Sequence, residues 1–312
     1  MKRDPQFKPG NHWLALTLNP GALAASIGAE AQSSWIADGP YTIVALNCSE
    51  LGTGNTDGFH EFEMSIKAAG YDWSNLPVSA RALSGNGKGR PMGDLLEGRV
   101  LLLDKGDTID VVFRNVAATA ITPRLHLFGH RGWPVDYARR GIRAGGDGRP
   151  YMLVIRDGAD AALATANNNS VRQRINLCMS MSRLTWGDGV TSTGHRLDID
   201  AVIELSQGAV QTLHASSAAA ADRRCSLRSL AGEDEGLDLR RLLGGWPQLM
   251  QNAEVQEVQF FNDSGSNVQP RLIYLGHEGM PFGTPDDFGD KYVPVSARPE
   301  SDMVPDEAGA RP

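Results

Sequence analysis

The sequence predicts an all-β protein made of two tandem antiparallel β-sandwiches with few short helices. Three observations carry this prediction. A long segment realigns on a later one, apolar residues mostly alternate with polar ones, and Gly and Pro separate these short runs at regular intervals. The 312 residues are enough for two domains that each bury a core.

The internal repeat aligns residues 81–134 with residues 228–281 without a gap, giving 18 identities over 54 positions. Average composition would give about 3 or 4. A weaker match between the run at Trp13 and the run at Met152 extends the copies upstream. The repeat therefore predicts four parts of the chain: an arm at 1–11, a first sandwich at 12–150, a second sandwich at 151–290, and a tail at 291–312.

Strands are predicted wherever short apolar runs end at turn residues. In the first copy these runs are His12–Leu18, Tyr41–Leu46, Phe59–Ile66, Arg99–Leu103, Thr108–Phe113 and Arg124–Phe128. In the second copy they are Tyr151–Ile155, Ile175–Met179, His195–Leu205, Val255–Phe261 and Arg271–Leu275. The turn Lys105-Gly106-Asp107 predicts a hairpin. Helices are predicted at Pro20–Ala31 and Asp238–Leu243, and an insertion in the second copy at Gln207–Arg224.

Residues that recur in both copies have structural explanations. The repeated glycines, such as Gly129 and Gly276, suit turns with positive φ or a close approach of two backbones. Asn115 and Asn262 each follow a strand, where an amide side chain closes an Asx turn. The Arg and His of the repeated Pro-Arg-Leu…Gly-His element can hydrogen-bond a neighbouring loop. Repetition itself therefore indicates folding rather than catalysis.

Composition excludes several classes of protein. Thirty basic and 37 acidic residues give a net charge of −7, so we expect no nucleic-acid binding except through the N-terminal arm. Cys48, Cys178 and Cys225 are odd in number and widely spaced, which indicates a reducing compartment. No apolar run is long enough to span a bilayer, and residues 1–10 lack the apolar stretch of a secretion signal.

No enzyme motif is present. The chain has no Gly-x-Ser-x-Gly element, and Gly85–Gly89 lacks the Gly-Lys-Ser/Thr ending of a phosphate loop. Acidic clusters such as Glu233–Glu235 are predicted to be solvated, although sequence alone does not decide which carboxylates converge as a glycosidase pair. We therefore assign no catalytic, cofactor-binding or metal-binding residue.

One segment resembles the cupredoxin domains of multicopper oxidases. A Gly-Asp turn at 106–107, a strand ending in Asn115 and the stretch His126-Leu127-Phe128-Gly129 follow that order. Phe128 stands where the family has its second histidine, and Cys178, with Met179 and Met181 nearby, has no adjacent histidine. The resemblance implies at most a degenerate copper site, with His126 and His130 as the residues to test.

A second resemblance, to jelly-roll domains of bacteriophage virion proteins, covers the repeated segment of both copies. An Arg/Gly-rich turn segment and a Leu-Leu pair precede the strand–turn–strand Val111–Thr122, repeated as Val258–Gln269. This resemblance implies two tandem jelly rolls, as in double-barrel capsid subunits. It further implies that the chain self-associates into a large homo-oligomer and also contacts other virion proteins. The virion would be assembled in the host cytoplasm, and the protein would have neither a cofactor nor an active site. Its position in the particle, the oligomer symmetry and the host stay open.

A carbohydrate-binding β-sandwich stays open as a further alternative beside the cupredoxin. It would need exposed aromatic residues that line a groove, whereas most tryptophans are expected to lie in the core. The candidates are Trp13, Trp35, Trp73, Trp133, Trp186 and Trp246.

Overall fold

The computed structural model describes nine stretches of the chain: 13–51, 62–84, 89–133, 141–156, 162–188, 199–205, 225–227, 236–262 and 267–282. The predicted arm (1–11), insertion (207–224) and tail (291–312) lie outside the described residues. Within these stretches no helix has the length and hydropathy that crossing a membrane requires.

The first half of the chain forms two sheets that face each other, together called the N-terminal sandwich; their strands are antiparallel except for β11, which pairs with β8 in parallel. One sheet contains β1 (Trp13–Leu18), β3 (Tyr41–Leu51), β7 (Arg90–Pro91), β8 (Val100–Leu103), β10 (Thr122–Arg131) and β11 (Gly141–Arg143). The other contains β2 (Glu30–Ile36), β4 (Phe62–Ala68), β5 (Tyr71–Asp72), β6 (Val78–Ser79) and β9 (Thr108–Asn115). A short helix, Ala80–Ser84, and a 3-10 turn, Met92–Asp94, connect them.

The second half forms two further sheets, the C-terminal sandwich. One contains β12 (Pro150–Ile155), β14 (Met179–Asp188), β17 (Leu237–Asp238), β18 (Gln248–Met250) and β20 (Pro270–Glu278). The other contains β13 (Asn168–Arg174), β15 (Ile199–Leu205), β16 (Cys225–Ser226) and β19 (Val255–Asn262). A helical turn spans Leu239–Leu242, as the sequence predicts.

The strand order is that of a jelly roll, and it occurs twice. In the N-terminal sandwich β1-β10-β3-β8 form one sheet and β2-β9-β4-β6 the other. In the C-terminal sandwich β12-β20-β14-β18 and β13-β19-β15-β16 pair in the same order. A jelly roll consists of two four-stranded sheets, and the chain passes back and forth between them. The all-β, tandem jelly-roll prediction is therefore confirmed.

Alternating apolar residues decide which strand face enters the core. In β9, Ile109, Val111 and Phe113 are fully buried while the residues between them reach solvent. This period-two pattern places every second side chain on the same face of the sheet. β19 repeats the pattern with Val258 and Phe260.

Some predicted elements are wrong. Pro20–Ala31 is not a helix, because Gly21 and Gly28 have positive φ and Leu23 bridges to Ile121. The predicted hairpin at 105–107 is a turn between sheets, since β8 pairs with β3 whereas β9 pairs with β2 and β4. The strand predicted at Ile175–Met179 begins only at Met179. The edge strands β2 and β13 were missed because their polar sequences contain no apolar run.

Gly129, Gly276 and Asn115 do what their sequence context predicts, whereas the turn predicted after Asn262 lies outside the described residues. A Cβ on Gly129 would clash with the carbonyl oxygen of Thr42, and one on Gly276 with that of Ser180, each beside a bulge in the neighbouring strand. Asn115 is buried and its Oδ1 accepts from the Ala117 N–H at 2.8 Å, which is an Asx turn.

Candidate functional site: the lateral faces of the two sandwiches

The candidate copper histidine His126 is held by two hydroxyl groups on the outer face of the β1-β10-β3 sheet. Its Nδ1 lies 3.0 Å from Thr17 Oγ1 and its Nε2 lies 2.7 Å from Ser49 Oγ. Burial, assisted by the positive charge of Arg124, lowers the pKa of His126. His130 lies four residues further along the same strand, about 13 Å away at the usual rise per residue. The two imidazoles therefore cannot share one ion.

The sulfur-containing residues of the cupredoxin-like pattern are also separated. Met179 and Met181 are buried in the core of the C-terminal sandwich, whereas Cys178 lies at its end, with Sγ 3.7 Å from Met280 Sδ. Within the described residues no three His, Cys, Asp or Glu side chains form a group that could hold a metal ion. The structure thus does not bring this candidate ligand set together.

The tryptophans do not form one aromatic groove. Trp73 and Trp186 are buried, one in each sandwich core, and Trp35 packs edge-on against Tyr41. Trp13 is 79% exposed at the edge strand β1. A platform for stacking sugar rings would need several such side chains side by side.

The most developed surface of the molecule is the one that joins the two sandwiches. Outward-facing side chains of β12 and β20 belong to the core of the N-terminal sandwich rather than to that of their own sandwich. These side chains are Met152, Val154, Ile273 and Leu275. We call the outer face of β12-β20-β14 the covered face.

One ion pair and one histidine–carboxylate contact fix the covered face to the N-terminal sandwich. Arg271 on β20 pairs with Glu63 on β4, and both side chains are at most 2% exposed. His277, fully buried on the same strand, places Nε2 3.0 Å from Glu97 Oε1 and Nδ1 2.9 Å from the carbonyl oxygen of Glu278.

Backbone hydrogen bonds extend this contact along the edge of β12. The Met152 N–H donates to the Trp73 carbonyl oxygen at 2.7 Å. The Asn75 side chain accepts from the Val154 N–H at 2.8 Å and donates to the Val154 carbonyl oxygen at 2.9 Å. We call β4, β6 and the segment 73–75 the mating edge of the N-terminal sandwich, since the covered face binds there.

A further contact is made by Phe282, which follows β20. Its ring stacks on His277 with centroids 4.0 Å apart, and the Arg99 guanidinium lies 4.4 Å from its centroid. Its N–H donates to Glu97 Oε2 at 3.1 Å and its carbonyl oxygen accepts from Arg99 at 3.1 Å. Glu97 thereby links β20 and the segment after it to the N-terminal sandwich.

The corresponding face of the N-terminal sandwich is the outer face of β1-β10-β3, which we call the open face. Its outward side chains are exposed or half-buried. On β1 the outward residues Ala15 and Thr17 are exposed, and they take the register positions of Met152 and Val154. On β10 four outward residues are half-buried: Arg124, His126, Phe128 and His130. Equivalent faces of the two sandwiches therefore differ in burial: the covered face is buried, and the open face is exposed or half-buried.

Sequence reasoning anticipated part of this interface. The repeated Arg and His were predicted to be able to hydrogen-bond a neighbouring loop. In the second copy His277 contacts Glu97, which lies between elements, whereas Arg271 pairs with Glu63 on the strand β4. Their acidic partners were missed, because Glu63 and Glu97 carry no repeated motif and an acid in an alternating strand predicts a solvent-facing side chain. The fold alone places Glu63 against Arg271.

No protein-family model matches the chain, and no curated protein sequence matches it significantly. Among solved structures it is similar to that of Sulfolobus turreted icosahedral virus, at 8% identity over 87% of this chain and 92% of that one, with a TM-score of 0.41.

It is also similar to the major capsid protein P2 of bacteriophage PM2, at 9% identity over 85% and 97% of the two chains, with a TM-score of 0.36. The glycosylasparaginase PNGase F of Flavobacterium meningosepticum follows at 8% identity over 85% and 96%, with a TM-score of 0.34. Similarities at TM-scores below 0.5 assign no function, and the jelly-roll fold rests on the strand order described above.

Proposed function

We propose that the chain is a non-enzymatic structural protein that self-assembles as a virion component, such as a bacteriophage capsid subunit. The jelly roll is a fold that builds viral shells, although lectins and cupins use it as well. Fold alone does not assign a function. The proposal therefore depends on the surfaces of this chain.

One observation supports the proposal: the chain already contains one contact between two jelly rolls, and no described residue covers the corresponding open face. The covered face is apolar at Met152, Val154, Ile273 and Leu275, and these residues are at most 1% exposed. The open face has the same strands in the same register. A subunit that joins its own two jelly rolls through such a face has the means to join further copies.

The supporting features agree with a shell subunit. We assign the two domains to residues 12–150 and 151–290, as copies produced by duplication, flanked by the arm and the tail. Duplicated domains present similar surfaces, so repeated contacts between copies arise readily. In this proposal the protein works in the virion, its partners are further copies and other virion proteins, and it needs no cofactor.

The test is the mass of the purified, untagged chain, measured by light scattering after size exclusion over a hundredfold range of concentration. We expect a discrete oligomer or large closed particles, which electron microscopy would then display. A monomer at every concentration would overturn the proposal. Metal analysis and glycan binding on the same sample test the alternatives, and bound copper that is lost in His126→Ala would favour the cupredoxin-like function instead.

A further inference from the structure

We propose that Ser49 on the open face is an activated nucleophile that accepts an acyl group from a thioester, with His126 as its general base. This inference goes beyond the proposed function and does not depend on it, because a shell subunit can carry one covalently modified side chain without turning over a substrate. It follows from the side chains that surround the His126 imidazole.

Three side chains on three neighbouring strands form a hydrogen-bonded chain. The Nε2 atom of His126 lies 2.7 Å from Ser49 Oγ, and its Nδ1 atom lies 3.0 Å from Thr17 Oγ1. A neutral imidazole has one N–H and one lone pair, so when Nδ1–H donates to Thr17, Nε2 accepts from the Ser49 hydroxyl. A base within hydrogen-bond reach of a hydroxyl, and itself held by a third group, is the arrangement that activates a serine.

The imidazole is in the protonation state that a general base needs. Burial, assisted by the positive charge of Arg124, lowers the pKa of His126, which favours the neutral ring at neutral pH. Both of its hydrogen-bond partners are uncharged hydroxyl groups, which do not hold a proton on the ring as a carboxylate would. The Nε2 lone pair is therefore available to the Ser49 hydroxyl.

Arg124 supplies a positive charge beside the nucleophile. It lies directly opposite Ser49 in the register of β10 with β3, so the two Cβ atoms are about 5 Å apart on the same face. Its Nε atom is buried and has no hydrogen-bond partner among the described residues. When a hydroxyl attacks a carbonyl carbon, negative charge develops on the carbonyl oxygen, and a neighbouring cation stabilises it. The guanidinium thus stands where this charge would form.

The proposed step balances without an oxidant, a reductant or a cofactor. Ser49 Oγ forms a bond to the carbonyl carbon of the thioester, and the hydroxyl proton moves to His126 Nε2. The bond between that carbon and sulfur then breaks, and the departing sulfur takes the proton from the imidazolium. The products are an ester on Ser49 and a free thiol.

The apolar side chains of the open face favour an acyl group with a hydrocarbon chain. Phe128 pairs in register with Ala15, about 13 Å along the sheet from the row that holds Ser49. One row further, Trp13 on β1 is 79% exposed. A hydrocarbon chain that follows these side chains removes apolar surface from water, which is favourable. We therefore expect a longer acyl chain to react faster than an acetyl group.

The experiment is acylation of the purified, full-length chain by acetyl and octanoyl thioesters of a small thiol. Intact mass follows the reaction, and peptide fragmentation locates the product. Neutral hydroxylamine is applied first, because it removes acyl groups from cysteine and leaves serine esters. We expect one acyl group on Ser49, formed faster from the octanoyl donor.

Variants assign the roles of the three side chains. Ser49→Ala is expected to abolish the ester, and His126→Ala to slow its formation by at least about a hundredfold. Thr17→Val is expected to slow the reaction, and Thr17→Ser, which keeps the hydroxyl, to restore it. Ser170→Ala is the matched control, since Ser170 is an exposed strand serine that donates to Glu257, and it should react like the wild type.

The outcomes separate this inference from the proposed function. The inference is overturned if the wild type forms no ester on Ser49, or if His126→Ala reacts as fast as the wild type while circular dichroism shows both to be folded. The mass of the untreated wild type tests self-assembly separately. A monomer that is acylated on Ser49 contradicts the proposed function alone, and an oligomer without the ester contradicts this inference alone.

Discussion

Replacing Arg271 by Ala is expected to loosen the contact between the two sandwiches. The side chains of Arg271 and its partner Glu63 are 2% and 1% exposed. Removing the guanidinium leaves the Glu63 carboxylate buried; among the described residues, the remaining cation is the more distant Arg114, whose Nη1 lies 4.0 Å from Oε2 and whose side chain is 27% exposed. The substitution therefore creates a buried charge that is incompletely compensated.

The expected loss in the free energy of unfolding is about 3 kcal/mol. Breaking a buried ion pair by removing one partner costs about 3–5 kcal/mol, and the remaining Arg114 places this case at the lower end. Removing both charges together, as in Glu63→Leu with Arg271→Met, is expected to cost about 1 kcal/mol or less, because no charge is then left unpaired.

Urea unfolding at neutral pH, followed by tryptophan fluorescence and circular dichroism, measures these losses. Arg172→Ala is the control, since Arg172 pairs with Glu257 at an exposed site. Exposed pairs contribute little, so the control midpoint should stay close to that of the wild type. A loss below about 1 kcal/mol for Arg271→Ala, or the same loss when Glu63 is already Leu, would refute the role of the pair.

Three further predictions concern the repeated residues and the open face. Gly129→Ala is expected to cost about 3 kcal/mol or more, because a Cβ would clash with the Thr42 carbonyl oxygen, whereas Gly145→Ala, whose Cβ would lie 3.4 Å from the nearest atom, should be tolerated; equal urea midpoints would contradict this. Asn115→Ala is expected to cost about 2–4 kcal/mol in the same assay, since it removes the Asx turn and the hydrogen bond from Nδ2 to the Ala24 carbonyl oxygen. A wild-type midpoint would contradict it. Because burial lowers the pKa of His126, the unfolded state binds more protons near pH 6, so stability falls as pH drops from about 7.5 to 5.5; His126→Gln should reduce this fall, and an unchanged pH profile would oppose the assignment.

Strands with a local alternation of apolar and polar residues were predicted from the sequence, whereas strands without it were not. The alternation of Ile109, Val111 and Phe113 is a local pattern, and it predicted β9 because one face of that strand meets the core. β2 is an edge strand of mixed polarity, so its sequence has no apolar period and only its pairing with β9 defines it. The hairpin prediction was wrong for a related reason. The turn at 104–107 is local, but the sheet that each flanking strand joins is decided by distant partners.

The sequence by itself predicted the all-β class with its two tandem jelly rolls, and it placed the repeated glycines at the turns and close backbone approaches. These features follow from periodicity, identity and backbone constraints that act over a few residues. Only the tertiary structure decided what the repeated Arg does in each copy. Arg271 is buried against Glu63, whereas Arg124 lies on the open face, although both belong to the same repeated Pro-Arg-Leu…Gly-His element. The difference arises because one sandwich packs on the face of the other, and a contact of this kind depends on residues far apart in the chain.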